Sequence, residues 1–167
     1  MHSDESRREA GATNSLPLSM RIRRATAADI PHLMALEKQA AMGAHWSREQ
    51  YEAAFSGESP TRLVLILDDE AGVLGFIIGR ELDKEWEVEN IIVAEAVRRR
   101  GFGARLLAEF LDLARGRGAR KIFLEVRESN HGARRLYEKS AFVESGRRRL
   151  YYREPEEDAI VYQLGFT

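Results

Sequence analysis

Two stretches of the chain hold residue types that can do chemistry. In the first, Arg98, Arg99 and Arg100 run into Gly101-Phe102-Gly103-Ala104, and an apolar repeat begins just beyond. An apolar strand, a glycine turn and a helix start together form an anion site, because free amide N–H groups and the helix dipole face the loop. The glycines allow a phosphate to approach the backbone, and arginines add forked donors. The alternative is a loop whose glycines only turn the chain and whose arginines face water. The loop is not a P-loop, since no Lys-Ser or Lys-Thr pair follows the glycines. It is not a dinucleotide fingerprint either, since Leu106 stands where a third glycine would be needed.

The second stretch is FLEVRESN, followed by LYE. Glu125 alternates with Phe123 and Arg127 and is flanked by Leu124 and Val126. A carboxylate in so apolar a strand is suited to be a base near neutrality, or is a surface group paired with an arginine such as Arg127. Asn130 is a helix N-cap candidate. Tyr137 shares an apolar helix face with Leu136, consistent with core packing and a hydroxyl at the rim.

The elements that must position these residues follow from periodicity. Arg21–Arg24 reads as a strand, and Thr26 caps a helix carrying Ile30, Leu33, Met34 and Glu37. Ser47 and Gln50 stand at capping-box spacing before a second helix that runs to about Phe55. Leu63–Leu67 and Val73–Ile78 form a hairpin around Asp68–Gly72, and Trp86–Val93 is a further strand. A helix over about Gly103–Arg115 carries Leu107, Phe110, Leu111 and Ala114 at helical spacing. A strand through Glu125, a helix with Ala133, Leu136 and Tyr137, and two closing strands complete the order β-α-α-β-β-β-α-β-α-β-β. Residues 1–19 are expected to be a flexible tail and 20–167 one domain of mixed α/β class.

Bulk properties narrow the partners. A net charge of -1 over 167 residues selects neither nucleic acid nor membrane. The absence of cysteine removes disulfides, thiolate zinc sites and a cysteine nucleophile. His2, His32, His45 and His131 lack metal-ligand spacing, so no metal is expected. With no apolar run of spanning length and no signal-peptide core, the expected location is cytoplasmic.

Arg98, Gly101 and Gly103 fit the pattern Q/R-x-x-G-x-G/A, which resembles the acetyl-CoA signature of the GNAT superfamily of N-acetyltransferases. The segments VENIIVAEAVRRRGFGARLL, IFLEVRESNHGARRLYEKSAF, RRRLYY and EDAIVYQL are similar to consecutive segments of its RimI-type branch, the ribosomal-protein-alanine N-acetyltransferases. The likeness runs from about Arg21 to Leu164. It implies a GNAT fold: a mostly antiparallel sheet of about seven strands, splayed at its centre and flanked by about four helices. It also implies acetyl-CoA as cofactor.

The resemblance assigns roles residue by residue. Residues Arg98–Ala104 would hold the pyrophosphate, mainly through backbone amides. Ile91, Ile92 and Val93 would present the strand backbone to the cofactor beside a bulge, with Asn90 fixing the geometry. Glu125 takes the general-base position and Glu89 is its rival. Tyr137 takes the position of the acid that protonates the thiolate, and Asn130 contacts the cofactor. Trp46, Tyr151 and Tyr152 would lie near the acceptor. A phenol near pKa ~10 protonates a thiolate near ~8.5 only with local help. An α-amine near ~8 is easier to deprotonate than a lysine near ~10.4, which favours a protein N-terminus, a ribosomal protein among the possibilities. The alternatives are a GNAT enzyme acting on a small amine or lysine, and an RNA-binding module using Arg98–Arg100 with GRRRLYY. The acidic run Glu154, Glu156, Glu157 and Asp158 is a solvated loop or an attractor for a basic peptide.

Overall fold

A computed structural model describes residues 16–17, 19–40 and 42–166. Most of the expected tail lies outside them, although Leu16 and Met20 pack on the core. The elements are β1 (Arg21–Arg24), a 3-10 turn (Ala27–Asp29), α1 (Ile30–Gln39), α2 (Arg48–Ala54), β2 (Arg62–Asp69), β3 (Gly72–Leu82), β4 (Glu85–Val93), a second 3-10 turn (Glu95–Val97), α3 (Phe102–Gly116), β5 (Lys121–Arg127), α4 (His131–Lys139), β6 (Val143–Tyr152) and β7 (Glu157–Gly165). They form one seven-stranded sheet in the order β1-β2-β3-β4-β5-β7-β6.

Each face of the sheet has its own core. One buries Leu63, Leu65, Ile77 and Trp86 against Leu106, Leu107 and Phe110 of α3, and extends to Tyr137 of α4. The other buries Val64, Ile66, Phe76 and Ile78 against Ile30 and Leu33 of α1 and Tyr51 of α2. Strand alternation sends neighbouring β2 and β3 side chains to opposite cores. Phe110 is fully buried and meets Trp86 edge-on at 6.1 Å, so its truncation would cost about 3–5 kcal/mol.

Two features of the central strands position everything that follows. β4 and β5 are the only parallel neighbours among these strands, and they pair from Glu85↔Lys121 to Val88↔Leu124. Beyond Val88 and Leu124 both strands continue without pairing each other, so the sheet forks. In addition, β4 carries a bulge. Its partner β3 pairs Ile78 with Asn90 and Gly79 with Val88, which leaves Glu89 as the extra residue. The bulge thus lies at Glu89, just before the Ile91–Val93 segment where the resemblance puts the cofactor strand. It reverses the alternation of β4. Trp86 and Val88 face α3, whereas Ile92 packs with the α1 core and Asn90 bonds to α1. Gly79 is required opposite the bulge, since a Cβ there would lie 2.2 Å from Phe110 and 2.8 Å from the Glu87 carbonyl.

Candidate active site

The fork opens into two joined chambers. One, of about 320 Å³, is lined by Trp46, Glu87, Glu89, Asn90, Glu125 and Tyr137, with Tyr151 and Tyr152 at its rim. The other, of about 810 Å³, runs along Ile91–Val93 to the start of α3 and across to α4. Both are lined by Met42, Gly43, Ile91, Asn130 and Ala133.

Local backbone explains the larger chamber. Gly101 is the N-cap of α3 at φ 81°, in the left-handed region that glycine adopts without strain, and no side chain caps the helix. The first amides of α3, on Phe102, Gly103 and Ala104, therefore point at the chamber unpaired. The Phe102 side chain turns into the core, so this residue offers only its backbone. Ala94 N–H donates to the Leu74 carbonyl of β3 at 2.7 Å. By alternation, Ile91 and Val93 turn their peptide groups away from β3, toward the fork. Accordingly the Val93 carbonyl accepts from Arg98 Nε at 3.0 Å.

Most of the expected cofactor residues line this chamber, but Arg100 differs from the expectation. Arg98 lines the chamber and also braces β4 through its Nε, whereas Arg100 is exposed and lines neither chamber. Arg99, at φ 64°, does line it. Asn130 is the N-cap of α4, its Oδ1 accepting from the Ala133 N–H at 3.3 Å. Arg135 and Lys139 also line this chamber and were not foreseen; their i,i+4 spacing on α4 was the available signal.

The smaller chamber gathers three carboxylates. Glu89 is held by Arg62 through two contacts of 2.9 and 3.3 Å, from an arginine only 18% exposed. Glu125 is held at 2.9 Å by Arg148, an arginine 58% exposed that reaches across from β6. The expected partner Arg127 instead lies 3.7 Å from Glu157 and stacks over Tyr152 at 4.3 Å. Glu87, absent from the expected set, approaches Arg80 at 3.3 Å, yet Arg80 Nε–H finds no hydrogen-bond partner. Burial pushes the Glu87 carboxyl above its ordinary value, with the charges of Glu89 and Glu125 adding to the effect. Glu125 is thus less firmly held than Glu89.

The tyrosines behave differently from the simplest acid assignment. Burial, with Tyr152 beside it, pushes the Tyr137 phenol well above its ordinary value. No cation lowers it, so Tyr137 is a hydrogen-bond donor that stays protonated rather than a strong acid. Burial, and then the Glu125 charge, pushes Tyr152 up to about 12. Tyr151 and Tyr152 meet edge-on at 5.1 Å.

A buried acid missed in the sequence lies behind the smaller chamber. Glu37 of α1 is 3% exposed and accepts from the Trp46 N–H at 2.9 Å, the Asn90 Nδ2 at 3.2 Å and the Tyr51 hydroxyl. Asn90 is therefore turned to Glu37.

The basic and acidic runs are paired within the molecule in part. Arg147 bonds to Glu128 and Asp158, while Glu157 accepts from Ser129. Arg149 of the basic run and Glu154 and Glu156 of the acidic run are exposed. No three His, Asp or Glu among the described residues are grouped to hold a metal ion, and none of the described helices is long and apolar enough to cross a membrane.

Residues 29–142 match the family model described as the acetyltransferase (GNAT) family. The chain belongs to that family. This GNAT protein is 36% identical over 138 residues to the ribosomal protein bS18-alanine N-acetyltransferase of Salmonella typhimurium, covering 81% of this chain and 90% of that one. It is 46% identical over 82 residues to the N-alpha-acetyltransferase RimI of Mycobacterium tuberculosis, an alignment spanning about half of each protein. Its fold matches the crystal structure of the ribosomal-protein-S18-alanine N-acetyltransferase from Escherichia coli with a TM-score of 0.77 at 28% identity, over 89% of this chain and 94% of that one. The forked seven-stranded sheet is accordingly the GNAT fold, and the expected fold class and N-acetyltransferase activity hold.

Proposed function

We propose that this GNAT enzyme acetylates the N-terminal α-amine of a protein in the cytoplasm, with an alanine-initiated ribosomal protein as the first candidate. The observation that carries this reading is the pair of joined chambers at the β4–β5 fork. One is built for an anionic, extended cofactor and the other for a cation, and both reach Ile91. The relatives named for bS18 alanine acetylation support the choice of acceptor.

The residues present fit acetyl-CoA. The uncapped start of α3, left-handed Gly101 and Arg99 form a donor set for a pyrophosphate, and the β4 edge at Ile91, which has no partner strand on the fork side, suits an amide-bearing chain. When bound, acetyl-CoA supplies the acetyl group as a thioester. Glu125 accepts a proton from the incoming ammonium and leaves a neutral amine. A β4 N–H at the fork stabilises charge on the acyl oxygen. Tyr137 would donate a hydrogen bond to the departing sulfur, which would leave as a thiol by taking up the second proton of the amine nitrogen. Transfer is direct, for the chain has no cysteine to carry the acetyl group as a thioester.

The test is thiol release from acetyl-CoA with intact-mass readout on two peptides. One is basic with a free N-terminal alanine; the other has that amine blocked and a lysine inside. A gain of one acetyl group on the first alone is expected. Acetylation of the second, or of neither, would overturn the choice of amine.

A further inference from the structure

We infer that Glu37 is a positioning residue that couples the acceptor wall of the active site to the bulged strand β4. The inference rests on the proposed function for its acceptor, but the geometry behind it is independent of that reading.

Glu37 joins the Trp46 turn and α2, whose Trp46 and Tyr51 rings also meet at 5.4 Å, to β4. Its Oε1 accepts from the Trp46 N–H, in the turn that carries Met42 and Gly43 into both chambers, and from the Asn90 side chain. Its Oε2 accepts from the Tyr51 hydroxyl of α2. Burial, and then the Glu37 hydrogen bond, keep Tyr51 protonated, so this donor is permanent. The turn also packs directly on this acid: a Cβ at Gly43 would lie 3.3 Å from Glu37 Cγ and 3.2 Å from Ile92 Cδ1.

The chemistry explains why a carboxylate stands there. Three donors converge on one buried point. A carboxylate is acceptor-only at both oxygens, and its burial is tolerable only when such donors satisfy it. The consequence for the site runs through Asn90. This residue follows the bulge at Glu89 and precedes Ile91, whose peptide faces the fork. Fixing the Asn90 side chain fixes the strand just where its N–H must meet the acyl oxygen. Fixing the Trp46 amide sets the opposite wall, against which Arg62 stacks at 5.7 Å from the Trp46 ring. Glu37 lines neither chamber and touches no substrate; it acts through Asn90 and Trp46.

The test compares Glu37→Ala with Glu37→Gln in the full chain. It uses steady-state kinetics on the free-alanine peptide and the infrared carbonyl stretch of bound, carbonyl-labelled acetyl-CoA. Glu37→Ala is expected to raise the peptide KM and lower kcat, each about tenfold, because small misplacements at a reacting centre are costly. It should also shift the bound carbonyl stretch toward that of free acetyl-CoA. Glu37→Gln should restore most of both, since its oxygen still meets Trp46 and Asn90 and the Tyr51 hydroxyl can turn to accept from its amide. A Glu37→Ala protein with a lower melting temperature but unchanged KM and carbonyl stretch would make the residue purely structural and overturn the inference. A Glu37→Gln protein as impaired as Glu37→Ala would also overturn it, because the charge itself would then be acting. If Glu37→Ala does not fold, Asn90→Ala takes its place, and a wild-type carbonyl stretch there contradicts the coupling. Were the wild type inert on the peptide, a carbonyl shift in Glu37→Ala would still support the coupling while the acceptor reading failed.

Discussion

Arg148 Nε lies 2.9 Å from the Glu125 carboxylate, and the two residues come from strands separated by β7. The arginine is 58% exposed and also stacks on Tyr151 at 5.3 Å. Such a pair neutralises Glu125 in the resting site yet is weak enough for an incoming ammonium to displace.

Arg148→Ala should therefore cost about 1 kcal/mol of stability or less, as for other exposed pairs. With its competitor gone, the acceptor amine should bind at least as well, so peptide KM stays level or falls about two- to fivefold. Urea unfolding and initial rates on the free-alanine peptide check both. A large rise in KM would mean that Arg148 binds the acceptor itself.

Tyr137→Phe removes the proposed hydrogen bond to sulfur and should lower kcat about 10- to 100-fold, the range for one bond to a charged group. Because burial raises this phenol above its ordinary value, its protonated form dominates from pH 7 to 9. The loss should be constant across that range. A loss that changes with pH there would show Tyr137 titrating as an acid.

Asp29 offers a pH test of the scaffold under α1. The Arg23 guanidinium bonds to it at 2.8 Å and holds its carboxyl down to about 2. A depressed carboxyl contributes stability above its unfolded value near 4, and loses it as pH falls through the folded value. Asp29→Asn should cost about 2 kcal/mol at pH 7 and progressively less between pH 4 and 2. Urea midpoints at pH 7 and pH 3 would show the gap closing. A gap of constant size would remove Asp29 from the acid response.

The order of elements was legible because most helices and strands carry their period openly, from Leu107 and Phe110 in α3 to Leu124 and Val126 in β5, whereas β6 is exposed almost throughout. The β4 bulge was expected from the resemblance and shows only in the packing, since Ile91, Ile92 and Val93 are all apolar. Trp86 and Val88 occupy even positions, whereas Ile91 and Val93, which pack on the same core, occupy odd ones. That slip of one is the mark of an extra residue. Glu37 was overlooked because it fell at the right spacing on the α1 stripe, where a charged residue on a buried face was itself the signal. Glu87 alternates with Trp86 and Val88, the spacing of an ordinary solvent-facing position. The fork makes that face a chamber wall, and a fork leaves no trace in the periodicity of either strand. The Arg148 pairing crosses β7, which spacing along one strand does not reveal; nearby Arg127 was the natural candidate until Glu157 and Tyr152 were seen to engage it.

The proposed chemistry turns on Glu125 taking the proton from the acceptor amine. The decisive measurement is the pH dependence of kcat/KM for Glu125→Gln against wild type on the free-alanine peptide, from pH 6.5 to 9. General-base assistance is worth about 100-fold or more while the amine is protonated, and little once it is free near pH 9. A large deficit at pH 6.5 that narrows toward pH 9 is expected. An equal deficit at every pH would contradict that role for Glu125, and the base would then have to be sought at Glu89 or Glu87.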